Sequence, residues 1–253
     1  MKEKSDFKLA VLIDADNIPH SSMKATLDEI AKLGVPTIKR IYGDWTKPTV
    51  AGWKAVLLET AITPVQQYSY TTGKNATDSA MIIDAMDILH NNHVDGFCLV
   101  SSDSDFTRLA TRLRESGMLV VGIGEKKTPK PFIVACDKFI YIEIIGAKES
   151  PQRRAVAYPA SPVPAPVPTE SVDPALIRLL ETTIDDLTED DQWAFLAEVG
   201  ILLLKKKPDF DPRNYGFSKL TPLFKSLPDR FEIDEREVEN SRIRHIYVRN
   251  RQR

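Results

Sequence analysis

Short, continuously apolar segments recur along the first part of the chain, and they restrict its fold more than any other feature. The segments Ala10–Ile13 and Phe97–Val100 consist of apolar residues only. Strands buried on both faces have this composition, whereas half-exposed strands alternate apolar and polar residues. Segments with helical spacing separate these runs, and strands that alternate with helices favour a parallel sheet with right-handed crossovers. The sequence therefore predicts an α/β fold, a parallel sheet with flanking helices.

Six strands and five helices are predicted in this part of the chain. The strands are Lys8–Ile13, Thr37–Tyr42, Thr63–Tyr68, Phe97–Ser101, Leu119–Ile123 and Phe139–Ile145. The helices are Ser22–Leu33, Val50–Glu59, Asp78–Asn91, Asp105–Ser116 and Pro131–Cys136. In a sheet of order 3-2-1-4-5, the first and fourth strands are neighbours where the crossover direction switches. Ligands bind at that position in open α/β sheets.

A proline-rich stretch divides the chain. Five prolines interleaved with Ala, Val and Ser lie between Pro151 and Pro174. This composition favours extended polyproline II and cannot build a core, so it is typical of a semi-rigid spacer. We predict a first domain over residues 1–148, a linker over 149–172 and a second domain over 173–253. Both domains are long enough to fold independently.

The chain as a whole is not basic, which excludes nucleic-acid binding through an overall positive charge. Lys and Arg number 34 against 36 Asp and Glu, for a formal net charge of −2, so any nucleic-acid partner has to be held by local patches. Cys98 and Cys136 have no metal-ligand spacing. The apolar run Leu9–Ile13 is too short for a signal peptide or a membrane span. We therefore expect a cytoplasmic protein with no membrane partner.

Acidic residues follow two of the predicted strands and begin one of the helices. Asp14 comes directly after the first strand, Asp103 and Asp105 follow the fourth, and Asp78 begins the third helix. The carboxyl ends of neighbouring parallel strands share one edge of the sheet, so we expect these acids to lie around one crevice. Asp84 lies about 240° around the helix from Asp78 and is a weaker candidate, equally well accounted for by a solvated helix face.

Clustered carboxylates repel one another, and a cluster that stays ionised needs a cation. Oxygen ligands without His or Cys favour Mg²⁺ or Mn²⁺ over zinc. Such a site suits metal-assisted phosphoryl transfer or phosphodiester hydrolysis. Each acid taken alone is also accounted for as the N-cap of the following helix, and only the convergence of several loops favours a metal site.

Three segments together resemble the NYN domain of the PIN-like nuclease superfamily, in its LabA-type bacterial branch. The segments are Asp14-Ala15-Asp16-Asn17, Lys74-Asn75-Ala76-Thr77-Asp78 and Ser102-Asp103-Ser104-Asp105-Phe106, and the resemblance spans about residues 8–146. It implies a PIN-like sheet and a Mg²⁺- or Mn²⁺-dependent ribonuclease. By position, Asp14, Asp78 and Asp103 match the metal-binding acids and Asp105 stands beside them as a fourth catalytic residue. Asn17 matches the polar residue after the first acid.

Basic and amide residues near the same edge are expected to contact RNA. Asn17 follows the first strand, Lys126 and Lys127 follow the fifth, and Lys74 and Asn75 lie in the loop before Asp78. Lysines placed there can hold phosphates by charge, although a solvated lysine-rich loop accounts for them equally well.

The segment after the linker has the helix–helix–helix–hairpin pattern of a winged helix. The helices are predicted at Ala175–Glu181, Trp193–Leu204 and Ser218–Ser226, and the strands at Phe231–Arg236 and Arg242–Arg249. The run Phe210–Leu220, followed by Leu227–Phe231, resembles the OST-HTH (LOTUS) domain. The resemblance implies RNA binding or protein docking, with homodimerisation as a further alternative. The candidate RNA-contacting cations are Lys219, Lys225, Arg242 and Arg244.

Three functions compete at this point. The first is a metal-dependent endoribonuclease with a tethered RNA-binding module. The second is a haloacid-dehalogenase-type phosphatase, because Asp14-Ala15-Asp16 also matches the nucleophile and acid pair of that family, although Ile18 stands where Thr or Val is usual. The third is a non-catalytic RNA-binding adaptor.

Overall fold

The computed structural model of the chain describes residues 7–50, 52–68, 76–91, 93–145, 172–188, 193–237 and 244–251. The chain divides into two units, Met1–Lys148 and Glu149–Arg253, which are described separately here. Residues 149–171 of the predicted linker lie outside the described residues.

The first unit is built on a six-stranded parallel sheet. The strands are β1 (Lys8–Asp14), β2 (Val35–Gly43), β3 (Thr63–Gln66), β4 (Gly96–Val100), β5 (Leu119–Gly124) and β6 (Lys138–Tyr141). Their order is β3-β2-β1-β4-β5-β6, and every neighbouring pair is parallel. The α/β fold class is confirmed, and β1 lies next to β4 as predicted. Ile13 is paired with Val100, so these two strands end side by side.

Helices flank this sheet, and its central strands β1 and β4 are buried. The helices are α1 (Met23–Ala31), α2 (Trp53–Thr60), α3 (Ala76–His90), α4 (Thr107–Glu115), α5 (Lys130–Ala135) and α6 (Ile142–Ile145). Residues Leu9 to Ile13 of β1 and Phe97 to Val100 of β4 are fully buried. Their apolar composition therefore corresponds to a sheet position with no solvent-facing side.

The predicted last strand is too long. Residues Ile142–Ile145 form a short helix, and β6 ends at Tyr141, which is paired with Gly124, the last residue of β5. Beyond Gly124 the neighbouring strand offers no backbone partner, so the chain satisfies its own hydrogen bonds by turning into a helix.

The second unit combines three helices with a small antiparallel sheet. Its elements are α7 (Pro174–Asp185), β7 (Ala194–Phe195), α8 (Leu196–Lys206), α9 (Leu220–Lys225), β8 (Phe231–Glu237) and β9 (Arg244–Asn250), and the strand order is β7-β9-β8. The carboxylate of Asp173 caps α7 by accepting a hydrogen bond from the Leu176 amide at 2.7 Å. The predicted second helix begins later than expected, because Ala194 and Phe195 pair with Val248 and Tyr247 of β9.

The part of the chain that the structure describes contains no helix long and apolar enough to cross a membrane.

Close packing at Gly122 in β5 generates a stability prediction. A Cβ on this residue would lie 2.5 Å from the Phe139 ring and 2.8 Å from the Cys136 sulfur. We expect Gly122→Ala to destabilise the first unit by about 1–3 kcal/mol, because a buried core cannot accept an added methyl without strain. The measurement is urea unfolding of the full chain, followed by circular dichroism.

Gly200→Ala in α8 is the matched control. There the added Cβ would meet only the Leu220 side chain, at 3.4 Å, and alanine favours helix by up to about 1 kcal/mol. An unfolding midpoint of Gly122→Ala equal to that of the wild type would contradict the packing described at β5.

Candidate active site

Asp14 lies at the carboxyl end of β1 and is almost completely buried, with 1% of its surface exposed. One carboxylate oxygen, Oδ2, accepts hydrogen bonds from Asn17 Nδ2 at 2.7 Å and from Ser101 Oγ at 2.8 Å. The other, Oδ1, accepts from the Asp16 amide at 3.0 Å. Burial raises the pKa of Asp14, although these hydrogen bonds act in the opposite direction. The group is therefore held in one orientation by neighbours from two strands.

Ser101 connects the acid of β1 to the loop that follows β4. Its side chain is fully buried; it donates to Asp14 and accepts a hydrogen bond from the Asp103 amide at 3.0 Å. The next residue, Ser102, accepts from the Glu125 amide at 2.8 Å and so ties this loop to the end of β5. Neither serine was predicted to have a role. Two consecutive hydroxyl residues directly after a buried strand were the available signal.

Three acids lie close enough to share one cation. Asp78, Asp103 and Asp105 each offer one carboxylate oxygen, and these oxygens lie within 4.8 Å of one another. Asp78 is in the first turn of α3, while Asp103 caps the short 3₁₀ helix Ser104–Phe106 by accepting from the Asp105 amide at 2.9 Å. All the donor atoms are carboxylate oxygens, which fits a hard cation such as Mg²⁺ or Mn²⁺.

The electrostatics of the group centre on Asp78. Partial burial raises the pKa of Asp78 to about 6, and the negative charges of Asp14, Asp103, Asp105 and Asp16 contribute to the same rise. At neutral pH a carboxyl with this pKa is largely ionised, and its negative charge is then repelled by those of its neighbours. A divalent cation would offset that repulsion.

The chain is matched over residues 8–143 by the family model for the NYN domain and over residues 168–243 by the model for the OST-HTH/LOTUS domain. The chain belongs to the NYN domain family. Its second unit contains an OST-HTH/LOTUS domain. The predicted NYN domain and the predicted OST-HTH/LOTUS domain are thereby confirmed.

Two solved structures are similar in part. A protein of unknown function from Vibrio parahaemolyticus is 20% identical, over 56% of this chain and 96% of that one, with a TM-score of 0.47. An uncharacterized protein from Nitrosomonas europaea is 31% identical, over 41% of this chain and 93% of that one, with a TM-score of 0.31. The comparison with curated proteins gives no match.

The three acids that lie together in the structure differ in one member from the three predicted metal ligands. Asp105, predicted as a neighbour of the ligands, belongs to the group of three, and Asp14 lies beside that group. Asp84 points elsewhere: its carboxylate pairs with Arg40 and accepts a hydrogen bond from the Tyr42 hydroxyl, both on β2. The interpretation of Asp84 as part of a solvated stripe is therefore wrong. The pKa of the Tyr42 hydroxyl is raised; burial is the largest cause, and the hydrogen bond to Asp84 is the next largest.

The predicted RNA-contacting lysines of the NYN domain lie in the loop after β5. Both Lys126 and Lys127 are exposed. The Lys127 ammonium forms an ion pair with Glu125 at 2.5 Å, and the Lys126 amide donates to Glu143 at 2.9 Å. Asn17, a further predicted contact of this domain, donates its side-chain amide to Asp14 at 2.7 Å. Lys74 and Asn75 lie outside the described residues.

The predicted cations of the OST-HTH/LOTUS domain are largely paired with acids. Lys225 forms an ion pair with Glu235 at 2.8 Å, and Arg244 lies 3.2 Å from Glu237 and 3.7 Å from Glu235. Lys219 is exposed at the start of α9. Arg242 lies outside the described residues.

A pocket of about 350 Å³ opens beside the loop that follows β1. Its walls come from the loop after β1, including Asn17 and His20, from the start of α2, and from the loop after β5, including Lys127. Trp53 also lines the pocket, but only 2% of it is exposed, and its ring makes a T-shaped contact with His20, with the ring centroids 6.2 Å apart. This tryptophan is a core residue, so the pocket has a rigid wall.

The raised pKa of Asp78 generates a prediction about stability and pH. The folded protein holds this proton more tightly than the unfolded chain, so ionised Asp78 destabilises the fold above pH 6, and this cost disappears as the pH falls toward the ordinary value of 3.8. Without divalent cations, Asp78→Asn should therefore melt at a higher temperature than the wild type at pH 8. The difference should close between pH 6 and about pH 4.

The measurement is differential scanning fluorimetry in EDTA across that pH range. Asp87→Asn is the matched control, because Asp87 is an exposed acid on the same helix. A gain in melting temperature for Asp78→Asn that does not depend on pH would contradict the assignment of the repulsion to this carboxyl.

Proposed function

We propose that this protein is a metal-dependent endoribonuclease that cleaves internal phosphodiester bonds of RNA, with the OST-HTH/LOTUS domain as a tethered RNA-binding module. The observation that carries the proposal is the group of three carboxylates at the carboxyl edge of the sheet of an NYN domain. PIN-like nuclease domains usually use divalent metals, and both domain types bind RNA. The exposed lysines of the loop after β5 are compatible with an anionic substrate.

Asp78, Asp103 and Asp105 are the residues that would hold the ion. A bound Mg²⁺ or Mn²⁺ lowers the pKa of water and offsets negative charge on a phosphoryl group. Asp14 would orient the site. It accepts a hydrogen bond from Ser101, which joins it to the loop that carries Asp103 and Asp105. It also accepts one from Asn17, in the loop after β1. We therefore propose Asp14 as a residue that positions the ligands, with Asp105 in the ligand set.

The buried position of Asp14 bears on the phosphatase alternative. A phosphatase of the haloacid-dehalogenase type needs this carboxylate as a nucleophile, open to the substrate. Here Asp14 is 1% exposed and both oxygens accept hydrogen bonds. Cleavage of RNA at internal bonds is therefore the reaction that the site supports better.

Replacing a grouped acid should abolish cleavage and leave the fold intact. We expect Asp103→Asn to lose at least about a hundredfold in the rate of RNA cleavage, because removal of a charged ligand weakens both the metal site and the stabilisation of the transition state. The assay uses an internally cleavable, 5′-labelled single-stranded RNA with Mg²⁺, with Mn²⁺ and with EDTA. Asp87→Asn is the control and should cleave at the wild-type rate.

Three outcomes would contradict the proposal. One is cleavage by Asp103→Asn at the wild-type rate, which would exclude the acid group as the catalytic centre. A second is an absence of internal fragments together with an aspartyl-phosphate on Asp14, which would favour the phosphatase. The third is binding of RNA without cleavage in Mg²⁺ and in Mn²⁺, which would favour the adaptor.

The tether generates a second prediction. We expect truncation after Ala147 to raise the apparent KM on long RNA at least about tenfold and to leave kcat nearly unchanged, because it removes binding that ground and transition states share. A tethered second contact acts at an effective concentration that reaches millimolar for short linkers. The control adds residues 168–253 as a separate chain at micromolar concentration, which should not restore the wild-type KM.

The truncated protein also distinguishes the alternatives for the second domain. Unaltered RNA kinetics, combined with a full-length chain that sediments as a dimer and a truncated chain that sediments as a monomer, would contradict the tether. That result would assign the domain to homodimerisation.

A further inference from the structure

The small sheet of the OST-HTH/LOTUS domain has one face toward the helices and one face away from them. Phe231 and Ile233 of β8, with Ile246 and Val248 of β9, belong to or pack against the hydrophobic core of this domain. Side chains alternate along a strand, so the residues between these point to the opposite face. The residues of the opposite face therefore lie outside the hydrophobic core of this domain.

Aromatic rings meet on the opposite face. Phe195 of β7 is paired in register with Tyr247 of β9, and their ring centroids lie 5.6 Å apart. The ring of His245, two residues earlier on β9, lies 5.1 Å from that of Phe195. These three residues are partly exposed, so this cluster of rings borders on solvent.

Two arginines extend this layer over the neighbouring rings. The guanidinium carbon of Arg236 lies 4.2 Å from the Tyr247 centroid and 5.7 Å from that of Trp193. The guanidinium carbon of Arg249 lies 4.5 Å from the Trp193 centroid. Guanidinium groups this close to aromatic rings form cation–π contacts. We call this layer the aromatic–arginine face; it comprises Trp193, Phe195, Arg236, His245, Tyr247 and Arg249.

The two arginines of the aromatic–arginine face are paired with acids of β8. Arg249 forms an ion pair with Glu232 at 2.7 Å, and Arg236 forms one with Asp234 at 2.7 Å. The face therefore has little net charge to attract a phosphate backbone. What it offers is a set of flat π surfaces, held side by side on a rigid sheet.

We propose that the aromatic–arginine face binds single-stranded RNA by stacking unpaired bases on its rings and guanidinium planes. Base–aromatic stacking tolerates any sequence, because every base has a π face, and arginine adds a cation–π contribution. In a duplex the base faces are stacked on one another, so a stacking surface selects single strands. The assignment to RNA rather than DNA rests on the proposed function.

This binding face differs from the basic residues that the sequence suggested. Lys225 and Arg244 pair with Glu235, which lies on the other side of β8 from Asp234 and Arg236. Lys219 stands at the start of α9, away from the sheet pairs. Binding through the stacking face should therefore depend only weakly on salt, whereas binding through lysines and phosphates depends on it steeply.

The test measures binding by the full chain in EDTA, so that no cleavage takes place. The probes are 5′-labelled 12-nucleotide oligoadenylate RNA, the DNA of the same sequence and an RNA duplex of the same length, followed by fluorescence anisotropy at 50 and 200 mM salt. Circular dichroism confirms that each variant is folded.

We expect Tyr247→Leu and Trp193→Leu each to weaken binding of the single-stranded RNA by roughly five- to a hundredfold, the range for loss of one stacking platform. Arg236→Lys keeps the charge and loses the plane, and it should also weaken binding. Arg178→Lys, at an exposed arginine on α7 of the same domain, is the matched control and should bind as the wild type does.

Wild-type affinity in folded Tyr247→Leu and Arg236→Lys would overturn the proposal and leave the aromatic–arginine face as a stabiliser of the sheet or a protein-docking surface. Tighter binding of the duplex than of the single strand, with a steep salt dependence, would overturn it in favour of backbone recognition. The binding assay contains no divalent cation, so its result does not depend on cleavage. If Tyr247→Leu and Arg236→Lys weaken binding but the wild type does not cleave RNA in the Mg²⁺ assay, the proposed binding face is supported and only the proposed nuclease activity is contradicted.

Discussion

The hydrogen bond between Ser101 and Asp14 is the interaction on which the rest of the candidate site depends. It joins the ends of β1 and β4, the two strands between which the crossover direction switches, inside a region closed to solvent. Because Ser101 also accepts from the Asp103 amide, one hydroxyl sets the position of a buried acid and of the loop that carries two more. An unpaired carboxylate at this depth would cost several kcal/mol, so the local hydrogen bonds are a condition of folding as well as of function.

The folded sheet brings acids together that repel one another, so the fold is stabilised by burial and destabilised by the charge of the site. Parallel strands bring their carboxyl ends to one edge, and the chain places acids from β1, α3 and the loop after β4 there. The cost appears as the raised pKa of Asp78, and the burial of β1 and β4 has to outweigh it. Sites that bind cations commonly hold such unfavourable charge when empty, and the same electrostatic energy then contributes to affinity for the ion.

The sequence was sufficient for the sheet and for the edge at which the acids meet, because continuous apolar runs of four or five residues, as in β1 and β4, are typical of strands covered on both faces. It was insufficient where local patterns are ambiguous. Residues 142–145 are apolar enough for a strand or a helix, and only the end of β5 decides between them. The two residues of β7 are too few for a pattern, and their partners on β9 lie far along the chain. Likewise, spacing placed Asp14 at the right edge, but the hydrogen bonds that hold its carboxylate come in part from Ser101, whose role depends on three-dimensional contact.

The contact of Asp84 with Arg40 and Tyr42 gives helix α3 a second attachment, six residues beyond Asp78 and about 9 Å along the helix axis. Since α3 carries Asp78 in its first turn, the distance of that acid from its partners is set in part by a polar anchor on β2, on the far side of β1 from the loop of Asp103. Natural variation at residues 40, 42 and 84 should then be coupled, because an exchange at one of them removes part of this anchor unless another compensates. In a library of random variants, damage to the acid group should arise from this remote trio as well as from the acids themselves.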